Sequence, residues 1–214
     1  AAGGTQAVSW PTVQKTAIAI LASPLIAFLV AVLASYLVRG IRTGFRLHEN
    51  HEAFRWGQIA SSAFVSWGHG TNDAQKTMGI IAVLLFSTGH LGAEFYVPFW
   101  VILAAGAAIG LGTMFGGWRI VKTMGQKLTK LKPVGGFCAE TGGAITLFLA
   151  TAIGVPVSTT HTITGAIVGV GSAQKATAVR WGVVGEIVWA WILTIPLTFF
   201  LSGGLMYAFR VMGA

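Results

Sequence analysis

Gly68-His69-Gly70-Thr71-Asn72-Asp73-Ala74-Gln75-Lys76-Thr77-Met78-Gly79 sets an acid, a cation, two amides and an imidazole inside a stretch, residues 59–86, otherwise apolar enough to enter a bilayer. An ionised side chain near the bilayer centre costs roughly 2.5–3.5 kcal/mol on insertion scales, so Asp73 and Lys76 need solvation, partners or a task. Gly68 and Gly70 predict a break in the helix, and Asn72 or Asp73 the cap of a helix that restarts, which leaves backbone N–H groups open at membrane depth. Interrupted helices with exposed ends build ion sites in transporters. A plainer account has Asp73 and Lys76, three residues apart, simply neutralise each other. A second polar stretch argues against it. Pro156-Val157-Ser158-Thr159-Thr160-His161-Thr162 interrupts another apolar segment with a proline and then five consecutive hydroxyl or imidazole side chains, with Gly165 just beyond.

The surrounding composition agrees with a membrane setting. With 54% hydrophobic residues, 9% charged and a mean hydropathy of +0.73, the chain is too apolar and too sparsely charged for a soluble globular domain. A net charge of +8 invites a nucleic-acid reading, but the basic residues fall into stretches beside apolar spans, where they orient a membrane protein, and no nucleic-acid partner is expected. The single cysteine, Cys138, excludes an internal disulfide and reads as a small buried apolar residue.

Apolar segments at about 16–38, 59–86, 97–117, 135–155, 156–172 and 181–209 follow a polar lead-in, 1–15, and form a single transmembrane domain over 16–214. The expected fold is therefore all-α, a polytopic helical bundle with broken helices or re-entrant hairpins. The limbs that meet at Gly154-Val155-Pro156 are short, and 156–172 either crosses or re-enters. Gly106 and Gly110, then Gly112 and Gly116, have the spacing of a close helix contact. If the Arg39 to Arg55 stretch is cytoplasmic, Arg119 to Lys132 and Lys175 to Arg180 fall on the same side. Eleven of the 14 Lys and Arg then lie inside, namely Arg39, Arg42, Arg46, Arg55, Arg119, Lys122, Lys127, Lys130, Lys132, Lys175 and Arg180, and both termini lie outside.

Of the six acids, Glu49, Glu52 and Glu94 fall in loops, leaving Asp73, Glu140 and Glu186 at or within membrane segments. Only Asp73 has polar neighbours in sequence. Its carboxylate suits a cation or a proton, while Asn72 and Gln75 add neutral donors and acceptors. Ser158, Thr159 and Thr160 supply hydroxyls where a helix can begin, and hydroxyls at a helix N-terminus suit a phosphate or similar oxyanion. His161 is either a proton carrier or a structural imidazole between helices. Glu140 and Glu186 either bind the coupling ion or pair with interfacial cations. The pattern is that of a symporter, which joins opposite charges to cross a low-dielectric barrier. A membrane-embedded enzyme is disfavoured, because no metal-ligand cluster or nucleophile–base pairing is evident.

At these two stretches the chain resembles the inorganic phosphate transporter (Pit) family. That family carries Gly-x-Asn-Asp-x-Ala-Asn-Ala-x-Gly followed by Pro-x-Ser-Thr-Thr-His; Gly70, Asn72, Asp73 and Gly79 match the first, and Pro156, Ser158, Thr159, Thr160 and His161 the second. The wording around Gln75 and Lys76 is similar to the bacterial low-affinity branch. The resemblance implies secondary transport of phosphate with a cation across the bacterial inner membrane, at a site lined by Asn72, Asp73, Gln75, Lys76, Ser158, Thr159, Thr160 and His161. It implies no cofactor, leaves any bound metal unknown, and leaves the coupling cation open among proton, sodium and a divalent metal–phosphate complex. Gln75 and Lys76 replace the Ala-Asn of the broad pattern, which weakens the case for a sodium site like that of sodium-coupled members. Since the family carries each signature twice in halves of inverted topology, the chain resembles the C-terminal half, and its expected partners are the lipid bilayer and a missing N-terminal half, in the same polypeptide or in a second chain. Oligomerisation stays open, and so does another oxyanion, such as sulfate, as substrate.

Overall fold

A computed structural model describes residues 9–48 and 51–212, the side chain of Arg119 excepted. The first eight residues of the lead-in and Glu49 lie outside the described residues. Six α-helices carry the fold: α1 Trp10–Gly44, α2 Glu52–Ser87, α3 Phe99–Lys122, α4 Pro133–Ala152, α5 Thr159–Gln174 and α6 Trp181–Val211. A π-helical stretch, Thr123–Leu128, and a 3-10 turn, Ala176–Ala178, complete the regular structure, and no strand occurs among the described residues. The expected all-α bundle is what forms.

The helices overrun the apolar segments at both ends. α1 starts at Trp10 because Pro11, whose missing N–H costs nothing in a first turn, opens it. Residues 10–15 are thus helical. At its other end α1 continues through Arg39 and Arg42 to Gly44, so the polar connection to α2 shrinks to residues 45–51. Among the described residues four helices are long and apolar enough to cross a membrane: Trp10–Gly44, Phe99–Trp118, Pro133–Ala152 and Trp181–Val211.

One sequence expectation fails here. α2 runs unbroken through Gly68 and Gly70 for 36 residues. An interior glycine weakens a helix by only about 1 kcal/mol, which packing can offset. Gly68 is buried where α2 crosses α4, and a Cβ added there would stand 3.4 Å from the Leu147 Cβ. The glycine serves close approach, not interruption.

The interruption lies at 153–158, as the short limbs foretell. Val155 N–H donates to Ala150 O at 3.0 Å and Gly154 N–H to Thr151 O at 3.0 Å, the paired bonds of a Schellman ending, with Gly154 at φ +68°. Pro156 prevents α4 from resuming. Ser158 then caps α5, its Oγ accepting from His161 N–H at 3.3 Å. A Cβ on Gly135, near the start of α4, would lie 3.3 Å from Val170 Cγ1 near the end of α5, so the two helices form an antiparallel hairpin. At 16 residues α5 spans about 24 Å, short of a bilayer core.

The hairpin fills the interior. α4 and α5 bury ten residues each, whereas α1 buries Ser23, Ala27, Ala31 and Val38 along one face. Gly165 and Gly169, four apart on α5, lie directly against the backbone of Pro24 and Phe28, four apart on α1. Gly142 of α4 meets α1 at Ala31 in the same way. These are small-residue seams that let helix backbones touch. The glycines of α3 do not form one: a Cβ at Gly106, Gly110, Gly112 or Gly116 would meet nothing within 4 Å among the described residues.

The chain divides into two compact units, one ending at Val179 and one beginning at Arg180. The second unit contains α6, a 31-residue apolar helix with Pro196 inside it and no buried residue. In the first unit, Thr129 Oγ1 donates to Ala178 O at 3.0 Å, and Arg39, Lys132 and Lys175 line one cavity. Residues from all three basic connections therefore gather at one end of this unit.

Candidate functional site

The tip of the α4–α5 hairpin meets the middle of α2. Asp73 lies 21 positions into that helix, and its two carboxylate oxygens are shared among three partners. Lys76 Nζ donates to Oδ1 at 2.9 Å, Thr159 Oγ1 donates to Oδ2 at 2.9 Å, and His69 Nδ1 stands 3.3 Å from Oδ2. Lys76 Nζ also donates to the Val157 carbonyl at 2.8 Å, tying the hairpin tip to α2 a second time. Asp73 and Lys76 pair along α2, and each also bonds the hairpin tip, Asp73 through Thr159 and Lys76 through Val157.

The tip is held from below as well. Val157, Leu147 and Ala150 form a buried cluster against Ala19 of α1. Above this floor opens a cavity of 420 Å³ lined by Thr16 and Ile20 of α1, Asp73 and Lys76 of α2, and Pro156 through Thr160 of the tip. Thr159 and Thr160 begin α5, so their N–H groups have no intrahelical acceptor and the helix presents its positive end to this space. One small chamber thus holds an ammonium, a helix N-terminus and hydroxyls, suited to an oxyanion, beside a carboxylate suited to its countercharge.

Of the residues singled out in sequence, Asp73, Lys76, Ser158, Thr159 and Thr160 come together here. Asn72 lies next to them but turns inward. It is buried, its Nδ2 is 3.5 Å from Thr151 Oγ1, and its Oδ1 has no hydrogen-bond partner among the described residues. His161 is half-buried on α5 and hydrogen-bonded to the backbone of Ile20, outside the cavity lining. Gln75 is exposed and does not line the cavity, since two helical positions carry it about 200° round from Asp73. Glu140 sits elsewhere, between α4 and α2, where Ser61 Oγ donates to its Oε2 at 2.6 Å. Glu186 is exposed on α6. No group of three or more His, Cys, Asp and Glu able to hold a metal occurs among the described residues.

Three participants escape a sequence reading. His69 carries a signal, four positions before Asp73 on one helix. Thr16 and Ile20 carry none, because only the fold brings α1 to the tip.

The sequence profile of a family described as the phosphate transporter family matches residues 42–202. The chain belongs to the phosphate transporter family. The family is described as one of transporters, and the chain, with several apolar helices, is a multi-pass membrane protein. It is 58% identical over 199 residues to a probable low-affinity inorganic phosphate transporter of Rhizobium meliloti, covering 93% of this chain and 60% of that protein. It is 39% identical to a protein of the same description from Bacillus subtilis, covering 92% of this chain and 60% of that one. A human protein, sodium-dependent phosphate transporter 1, is 35% identical over 73% of this chain and 23% of its own length. Among solved structures, one titled the sodium-dependent phosphate transporter superposes with a TM-score of 0.76 at 24% identity, over 90% of this chain and 65% of that one, which shows a shared fold. The chain spans about three fifths of the length of its bacterial relatives from Rhizobium and Bacillus.

Proposed function

We propose that this chain is one half of an inverted-repeat secondary transporter that carries inorganic phosphate across the bacterial inner membrane together with a cation, with both its termini outside. The observation that carries the reading is the meeting of the α5 N-terminus with the Asp73–Lys76 pair in one 420 Å³ cavity. A dihydrogen or monohydrogen phosphate accepts hydrogen bonds from the Thr159 and Thr160 N–H groups, from the tip hydroxyls and from Lys76. Lys76 is held by Asp73 while the site is empty. A cation or proton arriving at Asp73 neutralises the carboxylate and releases the ammonium toward the oxyanion, so that phosphate and countercharge bind together. Asn72 Oδ1, a buried carbonyl oxygen beside Asp73, is suited to a hard cation. The names of the relatives favour phosphate over sulfate.

Its partners are phosphate, the bilayer and the remaining region that the longer relatives possess, whether in the same polypeptide or a second chain. The test is uptake of radiolabelled phosphate into proteoliposomes holding the complete transporter, with a proton gradient, a sodium gradient or added divalent metal imposed in turn. The reading requires uptake driven by at least one of the three and resistant to excess sulfate. Uptake abolished by equimolar sulfate assigns the site to oxyanions generally.

A further inference from the structure

Pro24 stands inside α1, and a proline has no N–H to give. The carbonyl it deprives belongs to the residue four positions earlier, Ile20, which with Thr16 forms the α1 wall of the transport chamber. A carbonyl without a donor at membrane depth is costly, so one has to come from elsewhere. α5 supplies it. His161 is hydrogen-bonded to the backbone of Ile20. The Ile20 N–H is used inside α1, so the imidazole donates and the carbonyl oxygen accepts.

The register of the two helices makes this pairing a third rung of a ladder. Gly169 lies against the backbone of Phe28, and Gly165 against that of Pro24. One turn closer to the start of both helices, the same spacing brings His161 opposite Ile20, with α1 and α5 running parallel. Two rungs have no side chain on α5, which lets the backbones touch. The third has an imidazole, and it falls on the carbonyl that the proline frees. At that point α1 lacks the bond that would brace residues 10–20 against the rest of the helix, and a helix bends most easily there. The imidazole ties this arm to the first turn of α5 instead, the turn whose Thr159 hydroxyl bonds Asp73.

We propose, on the reading of this chamber as the phosphate site, that His161 is a positioning residue for transport. It touches no lining surface of the chamber itself; by serving the carbonyl that Pro24 leaves free, it sets how far Thr16 and Ile20 stand from the start of α5.

The test is a double-mutant cycle in the complete transporter, because Pro24→Ala gives α1 back its own donor for the Ile20 carbonyl. Two readouts are taken: phosphate uptake into proteoliposomes, and the rate at which a small methanethiosulfonate reagent labels Thr16→Cys in a transporter otherwise free of cysteine. His161→Leu is expected to raise KM about tenfold with kcat within about twofold, and to change the labelling rate at least about threefold. Pro24→Ala alone is expected to leave both readouts unchanged, and combined with His161→Leu to bring both back to within about twofold of the starting protein. Of His161→Asn and His161→Gln, whose amides still donate, at least one is expected to keep both readouts. If the Pro24→Ala variants do not fold, these two amide variants decide alone.

A loss as large with Pro24→Ala as without it overturns the proposal, as does failure of both amides. Uptake abolished by His161→Leu and relieved by neither remedy assigns the imidazole to proton transfer and also overturns it. Normal KM and labelling in His161→Leu leave the imidazole no role in positioning. Should the unsubstituted transporter take up no phosphate, the transport reading fails, while the labelling rates still decide whether His161 places the α1 wall.

Discussion

Thr159 Oγ1 donates to Asp73 Oδ2 at 2.9 Å across 86 residues of sequence, joining the first turn of α5 to the middle of α2. This bond fixes the carboxylate against the hairpin tip while Lys76 holds its other oxygen, so the acid has little freedom to rotate away from the cavity. Thr159→Val keeps the shape and removes the hydroxyl. The expected outcome in the complete transporter is a rise of about tenfold in the phosphate concentration giving half-maximal uptake, in line with about 1.5 kcal/mol for a hydrogen bond to a charged group. An unchanged value in proteoliposome uptake assays removes the hydroxyl from binding.

Lys76 bridges Asp73 and the Val157 carbonyl, so its loss affects both charge and tip position. Lys76→Gln is expected to lower kcat/KM for phosphate at least about tenfold and leave membrane insertion intact, since a neutral amide is cheaper to insert than an ammonium. Uptake kinetics and protease mapping of the inserted protein check both halves of the statement.

Gly165 admits no side chain: a Cβ there would stand 2.7 Å from the Pro24 Cα and 2.8 Å from its carbonyl carbon, both backbone atoms that cannot swing aside. Gly165→Val is expected to destabilise the protein by about 1–3 kcal/mol or more through overpacking, seen as a lower unfolding temperature in detergent. The same change at Gly110, where a Cβ meets nothing within 4 Å, is the control and is expected to shift the temperature little.

Alone, these 214 residues are expected not to move phosphate, because among the described residues the chamber has walls from α1, α2 and the hairpin tip. Vesicles that contain this chain and nothing else are expected to take up no more phosphate than protein-free ones. Uptake above that background shows that the cavity is complete without further protein.

The two motifs that meet at the site were legible because polar residues stand out against apolar spans, and Gly154 with Pro156 marked the true interruption by a mechanism that needs no tertiary partner. Gly68 and Gly70 misled because a glycine read in isolation signals flexibility, whereas Gly68 is set by the nearness of Leu147, which only the fold reveals. The glycine seam illustrates the same limit: Gly106 and Gly110 have the spacing of Gly165 and Gly169, but spacing says nothing about whether a backbone waits opposite. Charge placed the basic connections at one end but could not tell that five of those side chains converge on one cavity. Ser61 against Glu140, 79 residues apart, was beyond any reading of local pattern.

The account rests on phosphate occupying the space between Asp73, Lys76 and the start of α5. The most direct measurement is a cryo-electron microscopy map of the complete transporter in saturating phosphate. Phosphate density within hydrogen-bonding distance of Lys76 Nζ and the Thr159 or Thr160 N–H groups is the expected result. An empty chamber there, with phosphate bound at another place on the protein, contradicts it.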